Sequence, residues 1–251
     1  MSFRAALAAL LVPAMACAAS LDDLKPAPAG ANTLSEAEKA EGWTLLWDGT
    51  NNVGWVSKKN LTSFPDKGWV ARDGWLGMKK KGGGGDIVTV AKFRDFAFKF
   101  DFQLTKGANS GVKYFFDEGQ NGGTCEEYQV LENAHPDSRR GKDGNRKCAS
   151  LYDLIPAKAD AIVKGPGEWN TGMIVAKGNV VEHWLNGRKV LSYTRGSEEF
   201  RAKVAASKYA KLGKDAKGEP QPWGEVPEGR LLLQDHGDSY AAFCNLKLRK
   251  L

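Results

Sequence analysis

From Gly42 onward the chain alternates short apolar runs with clusters of Gly, Asp and Asn. The runs at 44–47, 69–71, 75–78, 87–90, 96–104, 111–116 and 127–131 are each of strand length and end in turn residues. The same style continues over 172–177, 180–185, 189–193, 230–235 and 241–248. Lys177-Gly178-Asn179 and Asn186-Gly187 supply the positive φ that tight hairpins need, so 172–193 is expected as a three-strand meander. One stretch, 198–212, has helical character and runs into a basic, Pro-containing loop at 213–227. Together they read as an insertion beside the sheets, placed to act as a lid. No fixed repeat period is visible, which argues against propellers and solenoids. Strands without βαβ alternation predict an all-β fold, a two-sheet antiparallel jelly-roll sandwich with one short helical insertion.

The chain opens differently. Arg4 precedes an apolar run at 5–14 and then small residues around Met15, Ala16, Cys17 and Ala18, the pattern of a secretory signal peptide over 1–18. Such a leader sends the mature protein to the periplasm or out of the cell. The run is shorter than the roughly 20 residues a bilayer needs and no longer one follows, so no transmembrane segment is expected. Cys17 follows Ala14-Met15-Ala16, which resembles a lipoprotein cleavage box without its usual Leu, so a lipid anchor at Cys17 is the alternative. Residues 19–41, rich in Ala, Pro, Asn, Ser and charge, are expected as a linker with at most one helical turn. A single domain then fills 42–251.

Composition supports one sizeable core, since the 251 residues include eight Trp, eleven Phe and 42% apolar side chains. The formal charge of +6 is scattered through Gly- and Asp-containing loops with no helix to align it, which argues against a nucleic-acid partner. Cys125, Cys148 and Cys244 match no common zinc spacing. In an oxidising compartment Cys125 and Cys148 could form a disulfide, leaving Cys244 as a buried thiol; three reduced thiols are the other reading. Gly82 to Gly85 lacks a following helix and a P-loop Lys, so it reads as a flexible loop and not as a phosphate cradle.

The segment 127–132 is the best candidate for carbohydrate chemistry. On a strand, Glu127 and Gln129 share a face while Tyr128 and Val130 take the other. Glu132 breaks that parity, and a β-bulge near Leu131 would return it to the first face. Three polar groups so arranged resemble the Glu-x-Asp-x-x-Glu strand of laminarinase- and lichenase-type glycoside hydrolases, jelly rolls with the site on the concave sheet. Gln129 stands where those enzymes carry Asp, which weakens direct two-carboxylate hydrolysis. A solvent-facing polar strand is the bland alternative.

Of the three histidines, His183 in the meander and His236 after Gln234 lie in or beside strands that could join Glu127, whereas His135 sits in an Ala-His-Pro-Asp loop. An imidazole titrates near neutral pH and can move a proton beside a sugar ring. Trp169 and Asn170 offer an aromatic plate with hydrogen-bonding groups, as sugar sites do, although a Trp in a sandwich core needs no such role. Asn109-Ser110-Gly111, ahead of the strand at 112–116, reads either as site lining or as turn chemistry.

Taken together, WDGTNNVGW, GGDIVT, FAFKFDFQL, ANSGVKYFF, EYQVLENAHPD, SLYDL, EWNTGMIVAKGNVVEHWLNG, SKY and LLLQDHGDSYAAFCNLKLR resemble the 3-keto-disaccharide hydrolase domain family over nearly all of 42–251. Two positions depart from its pattern: Lys113 and Tyr114 occupy a strand where many relatives carry Arg, and Cys244 replaces the Arg of a Phe-Arg-Asn. The resemblance implies a concanavalin-A-like jelly roll acting as a hydrolase or lyase on a small carbohydrate oxidised at C3 of its sugar ring.

A C3 ketone acidifies the C2 hydrogen. A base can then remove it, a donor or cation steadies the enolate oxygen, and the C1 substituent leaves. On that scheme Glu127 or His183 is the base; His236, Gln234 or Lys113 lies near the enolate; and Glu132 assists the leaving group. Gln129, Asn109, Trp169 and Asn170 complete the binding set. No cofactor is required, though a divalent metal held by Glu127, Glu132, Asp235 and the histidines could replace the donor. A non-catalytic carbohydrate-binding module is the competing reading, and an enzyme differs from it in bringing Glu127, a histidine and Gln234 into one pocket. The sugar, the aglycone and the oligomeric state leave no mark in the sequence.

Overall fold

The sequence FAFKFDFQL of β6 (Phe96–Leu104) puts Phe96, Phe98, Phe100 and Phe102 on one side of the strand, all fully buried. Successive rings from Phe98 to Phe102 lie 5.3 and 6.1 Å apart and run down the centre of the core. In the computed structural model the described residues are 19–119, 124–212, 222–237 and 239–251. The expected leader with Cys17, and residues 213–221 of the expected basic loop, lie outside the described residues.

Strand β6 lies within an eight-stranded antiparallel sheet. The meander β9 (Asn170–Lys177), β10 (Val180–Leu185) and β11 (Arg188–Thr194) lies to one side of it. On the other side come β13 (Ala241–Lys250), β4 (Trp75–Met78) and β3 (Trp69–Arg72), while β1 (Trp43–Leu45) pairs with the far half of β13. The opposing sheet has five strands, in the order β2 (Trp55–Ser57), β5 (Ile87–Thr89), β12 (Arg230–Leu233), β7 (Asn109–Phe116) and β8 (Glu126–Leu131). This is the expected two-sheet jelly-roll sandwich of concanavalin-A-like type. The short β2, buried throughout, was not foreseen. The helical insertion is present as α2 (Glu198–Ala205) followed by a 3-10 turn, Lys208–Lys211.

The segment expected as a linker is a strap packed on the outer face of the larger sheet. Leu24 is buried with Trp75, Ala242 and Cys244. Lys25 and Gln103 exchange two hydrogen bonds, Lys25 N–H to Oε1 at 2.9 Å and Nε2 to the Lys25 carbonyl at 2.6 Å. Asn32 and Asn245 are likewise reciprocal, at 2.7 and 2.9 Å. Asn245 has φ +51° at a register shift in β13. The parity of core contacts therefore switches there, from Ala241 and Phe243 to Leu246 and Leu248. In α1 (Glu36–Ala40), Glu38 reaches both Lys99 and Lys247. Burial works against its charge, but these lysines and the Ser35 N–H hold its pKa down at about 2. Polar composition misled the expectation because the polar side chains here bond to the sheet instead of to water.

Two smaller expectations also change. Cys125, Cys148 and Cys244 are all buried free thiols, so the Cys125–Cys148 disulfide is not formed. The two sit in separate apolar clusters, Cys125 beside Phe116 and Leu232 and Cys148 in the main core. The Gly82–Gly85 run is a tight packing site: the Gly85 N–H donates to Asp235 Oδ2 at 2.9 Å, and a Cβ on Gly84 would stand 2.5 Å from the Lys67 carbonyl oxygen.

Candidate active site

Strand β8 reads EEYQVL, and all six residues are buried. Glu126, Tyr128 and Val130 face the core, where Tyr128 meets Phe100 edge-on at 5.2 Å. Glu127 and Gln129 take the other face, as the alternation predicts, and open into a cavity of about 360 Å³. Lys113 of β7 stands directly opposite Glu127 in the strand pairing, with Nζ 3.4 Å from Oε2. Burial opposes the Lys113 charge, but the Glu127 carboxylate, with help from Asp86, raises its pKa above the ordinary value. Lys113 is therefore held as an ammonium beside the Glu127 carboxyl group, which is only 5% exposed.

The surroundings hold that carboxylate in place. It lies over Gly111, where a Cβ would come 2.3 Å from Oε1. With the Gln129 amide turned to satisfy both its ends, the nitrogen donates to Glu127 Oε1 and to the Ser110 carbonyl, each at 3.1 Å. Gln234, just past β12, is fixed by its N–H to the Gly111 carbonyl at 2.9 Å and by Ser110 Oγ to its own carbonyl at 2.8 Å. Asn109 is tied through its backbone to Ser239 Oγ at 2.9 and 3.1 Å. Asn109 thus belongs to β7 and not to a preceding turn. His236 follows on the same rim.

The insertion and a loop supply the facing wall. Lys208, Tyr209 and Leu212 line the cavity from the 3-10 turn and its end, and Tyr152 lines it from the segment after β8. Tyr209 stacks on Trp223 at 4.1 Å, Trp223 on Phe200, and Phe200 on Tyr193 of β11. This run of rings anchors the insertion to the sandwich. The Lys208 ammonium lies 4.2 Å from the centre of the Tyr152 ring and 5.1 Å from that of Tyr209. Much of the residue faces solvent. Partial burial of its ammonium against these rings lowers its pKa, and the fields of Glu127 and Asp153 oppose that.

Asn109, Lys113, Glu127, Gln129, Gln234 and His236 therefore meet in one cavity. Four other candidates do not. Strand β8 pairs with β7 in unbroken register, so no bulge returns Glu132 to the face; its carboxylate instead accepts from the Gly107 and Ala134 N–H groups. His183 is fully buried in the core. Its Nδ1 donates to the Ala149 carbonyl at 2.9 Å, leaving Nε2 to accept from the Tyr114 hydroxyl at 2.7 Å. Burial drives its pKa down to about 4, so it is a neutral structural imidazole. Trp169 donates to the Pro26 carbonyl on the strap, and Asn170 accepts from the Lys164 N–H; Asn170 opens β9 of the larger sheet, Trp169 precedes it, and neither lines the cavity. His135 accepts from the Asp137 N–H at the start of the 3-10 turn Pro136–Arg139, with its ring 6.4 Å from that of His236.

Residues 42–249 match the 3-keto-alpha-glucoside-1,2-lyase-like domain. The chain belongs to that family. It is 33% identical to the 3-keto-disaccharide hydrolase of Bacteroides thetaiotaomicron, over 84% of this chain and 79% of that protein. A crystal structure from Parabacteroides distasonis, provisionally described as a glycosyl hydrolase, superposes with a TM-score of 0.75 at 33% identity, covering 88% of this chain and 99% of the other. A second structure of the same provisional description and species gives 0.60 at 28% identity, covering 83% and 99%.

Within this 3-keto-alpha-glucoside-1,2-lyase-like domain, the residues that sequence reasoning missed are Tyr152, Lys208, Tyr209, Thr124, Cys125 and Leu212. The SLYDL and SKY motifs were the available signal, but nothing local assigns them to a cavity. The metal alternative finds no donor set: among the described residues no three of His, Cys, Asp and Glu gather at ligand spacing. Asp235, one of the named donors, spends its carboxylate on the Gly85 and Gly237 N–H groups.

Proposed function

We propose that the chain is an exported enzyme that cleaves the glycosidic bond of 3-keto-glycosides, 3-keto-disaccharides included, beginning with removal of the C2 proton. The observation that carries this reading is the Lys113–Glu127 pair, 3.4 Å apart on the cavity floor. An α-hydrogen and its carbonyl oxygen sit side by side on a ketone, and here a base and a cation sit side by side to meet them. Glu127 takes the C2 proton while Lys113 faces the charge that develops on the C3 oxygen. The elimination then expels the C1 oxygen substituent. Gln129, Asn109, Gln234 and His236 supply hydrogen bonds to the ring, and Tyr152 and Tyr209 close its apolar edges.

Direct hydrolysis with two carboxyl groups is less well served, because Glu127 is the one carboxylate among the described residues lining the cavity. The family's lyase description and the relative's hydrolase name fit two halves of one cycle, elimination first and water addition second. A binding module would need aromatic plates along an open groove; Glu127, His236 and Gln234 converging in one cavity favour an enzyme. The test is aglycone release from a 3-keto-glucoside and from its parent glucoside, by wild type and Glu127→Gln. Release from the ketone alone, lost in the variant, is expected; release from the parent glucoside alone would overturn the reading. Mass measurement of the N-terminus after expression with its leader tests export.

A further inference from the structure

The base and the cation both stand on the cavity floor, on β7 and β8, and the elimination needs one more group. The C1 oxygen leaves with an electron pair, and for a sugar aglycone that oxygen is too basic to depart as an alkoxide without a proton. With Lys113 engaged by Glu127, the donor has to come from another part of the cavity. The insertion lines the same cavity and, among the described residues, presents one ammonium to it, that of Lys208.

We infer that Lys208 is the general acid that protonates the departing aglycone oxygen, and that it later serves as the base for the incoming water. This rests on the 3-keto-glycoside reading above. In the first half, Glu127 takes the C2 proton and becomes a carboxylic acid. The C1–O bond breaks, and Lys208 gives a proton to the leaving oxygen, which departs as an alcohol while Lys208 becomes an amine. In the second half, water adds at C1 and loses a proton to the Lys208 amine, and Glu127 returns its proton to C2. Both groups end as they began, and the net change is hydrolysis.

Three observations support the assignment. Lys208 is carried by the insertion and Glu127 by β8 of the sheet, so acid and base reach the one cavity from separate elements. Its ammonium is located by the Tyr152 and Tyr209 rings, at 4.2 and 5.1 Å, and Tyr152 is itself anchored by its hydroxyl to Asp137 at 2.9 Å. The groups around it are Glu127 and Lys113 on the sheet, Arg146, Tyr152 and Asp153 on the loop after β8, and Tyr209 on its own turn. Their balance, led by burial, makes the ammonium more acidic than a free lysine, whereas the floor lysine is less acidic than one.

The leaving group tests this. Release is measured from two 3-keto-glucosides, one with a 4-nitrophenyl aglycone that leaves without a proton and one with a methyl aglycone that needs one. Wild type is compared with Lys208→Met and with Lys208→Arg, which keeps the charge but holds its proton too tightly. In both variants the nitrophenyl-to-methyl rate ratio is expected to rise about 100-fold over wild type, the usual scale of a general acid. A ratio within threefold of wild type, whether both rates fall or neither does, would overturn the role for Lys208 and leave the 3-keto-glycoside reading standing. Failure of wild type to release either aglycone would instead remove that reading and this inference with it.

Discussion

Arg195 and Glu126 form a buried ion pair, Nε to Oε1 at 2.8 Å, one residue along β8 from Glu127. The Arg195 guanidinium lies 3.8 Å from the centre of the Phe115 ring and also donates to the carbonyls of Gly224 and Val226, where the insertion returns to the sheet. One side chain thus ties the strand that carries the proposed base to the arm that carries the facing wall. Burial raises the Glu126 pKa and Arg195 opposes the rise, so the carboxylate depends on its partner.

Replacing Arg195 by Met leaves Glu126 buried without a cation. Loss of one partner of a buried pair costs about 3–5 kcal/mol. Urea unfolding should show a loss of that size for Arg195→Met and recovery of much of it in Arg195→Met with Glu126→Leu. A double variant as unstable as the single one would show that the carbonyl contacts, not the ion pair, are the main role of Arg195.

Glu127→Gln should retain the fold and lower release from a 3-keto-glucoside by about 100-fold or more. Lys113→Met removes the neighbouring cation and should lower it by roughly 100-fold as well. Each is measured as kcat with circular dichroism as a control on folding. Wild-type rates in Glu127→Gln would remove the proposed base.

Gly111→Ala puts a methyl group where the Glu127 carboxylate lies, 2.3 Å from Oε1. The β7 backbone has no strained φ at this glycine, so the carboxylate should move and the strand should stay. Displacing a catalytic group by about 1 Å can cost 100-fold in rate. The expected result is a large loss of kcat with a small change in Tm; the reverse pattern would show that the strand yields first.

His183 is expected to affect stability and not chemistry. Its pKa is about 4 in the folded protein and near 6.5 when unfolded, so between those values the unfolded chain binds more protons. The contribution of the neutral imidazole is complete above pH 6.5 and is lost as pH falls towards 4, by an amount on the order of 3 kcal/mol. Urea midpoints at pH 7 and pH 4.5 should differ for wild type and differ less for His183→Phe. A rate in His183→Ala that falls in step with the folded fraction fits this role; a far larger fall would restore His183 to the mechanism.

Cys125 and Cys148 are buried thiols. Thermal unfolding should therefore be the same with and without a reductant, and thiol titration of the unfolded chain should find both free. A drop in Tm on reduction would mean that the two are joined.

The sheets were readable along the chain because their cause is local. FAFKFDFQL alternates Phe with smaller or polar residues, and that alone decides which face of β6 enters the core. The split of Glu127 and Gln129 from Tyr128 and Val130 is the same effect, and Asn186-Gly187 marks its hairpin by backbone preference alone. Hence the jelly roll, the meander and the candidate strand of the site follow from near neighbours in sequence.

What only the tertiary structure decided depends on residues far apart in the chain. His183 and His236 look alike in sequence, yet one ends in the core on Tyr114 and the other at the cavity rim. The strap looks like a linker until Gln103 and Asn245 are there to receive it. Lys208 is one basic residue in a basic insertion until the fold sets its turn, with Tyr209 stacked on Trp223, against the cavity that Glu127 also lines. Strand periodicity is a property of the local backbone, whereas a cavity is assembled by packing between distant segments, and no local pattern records which polar side chain will be drawn into it.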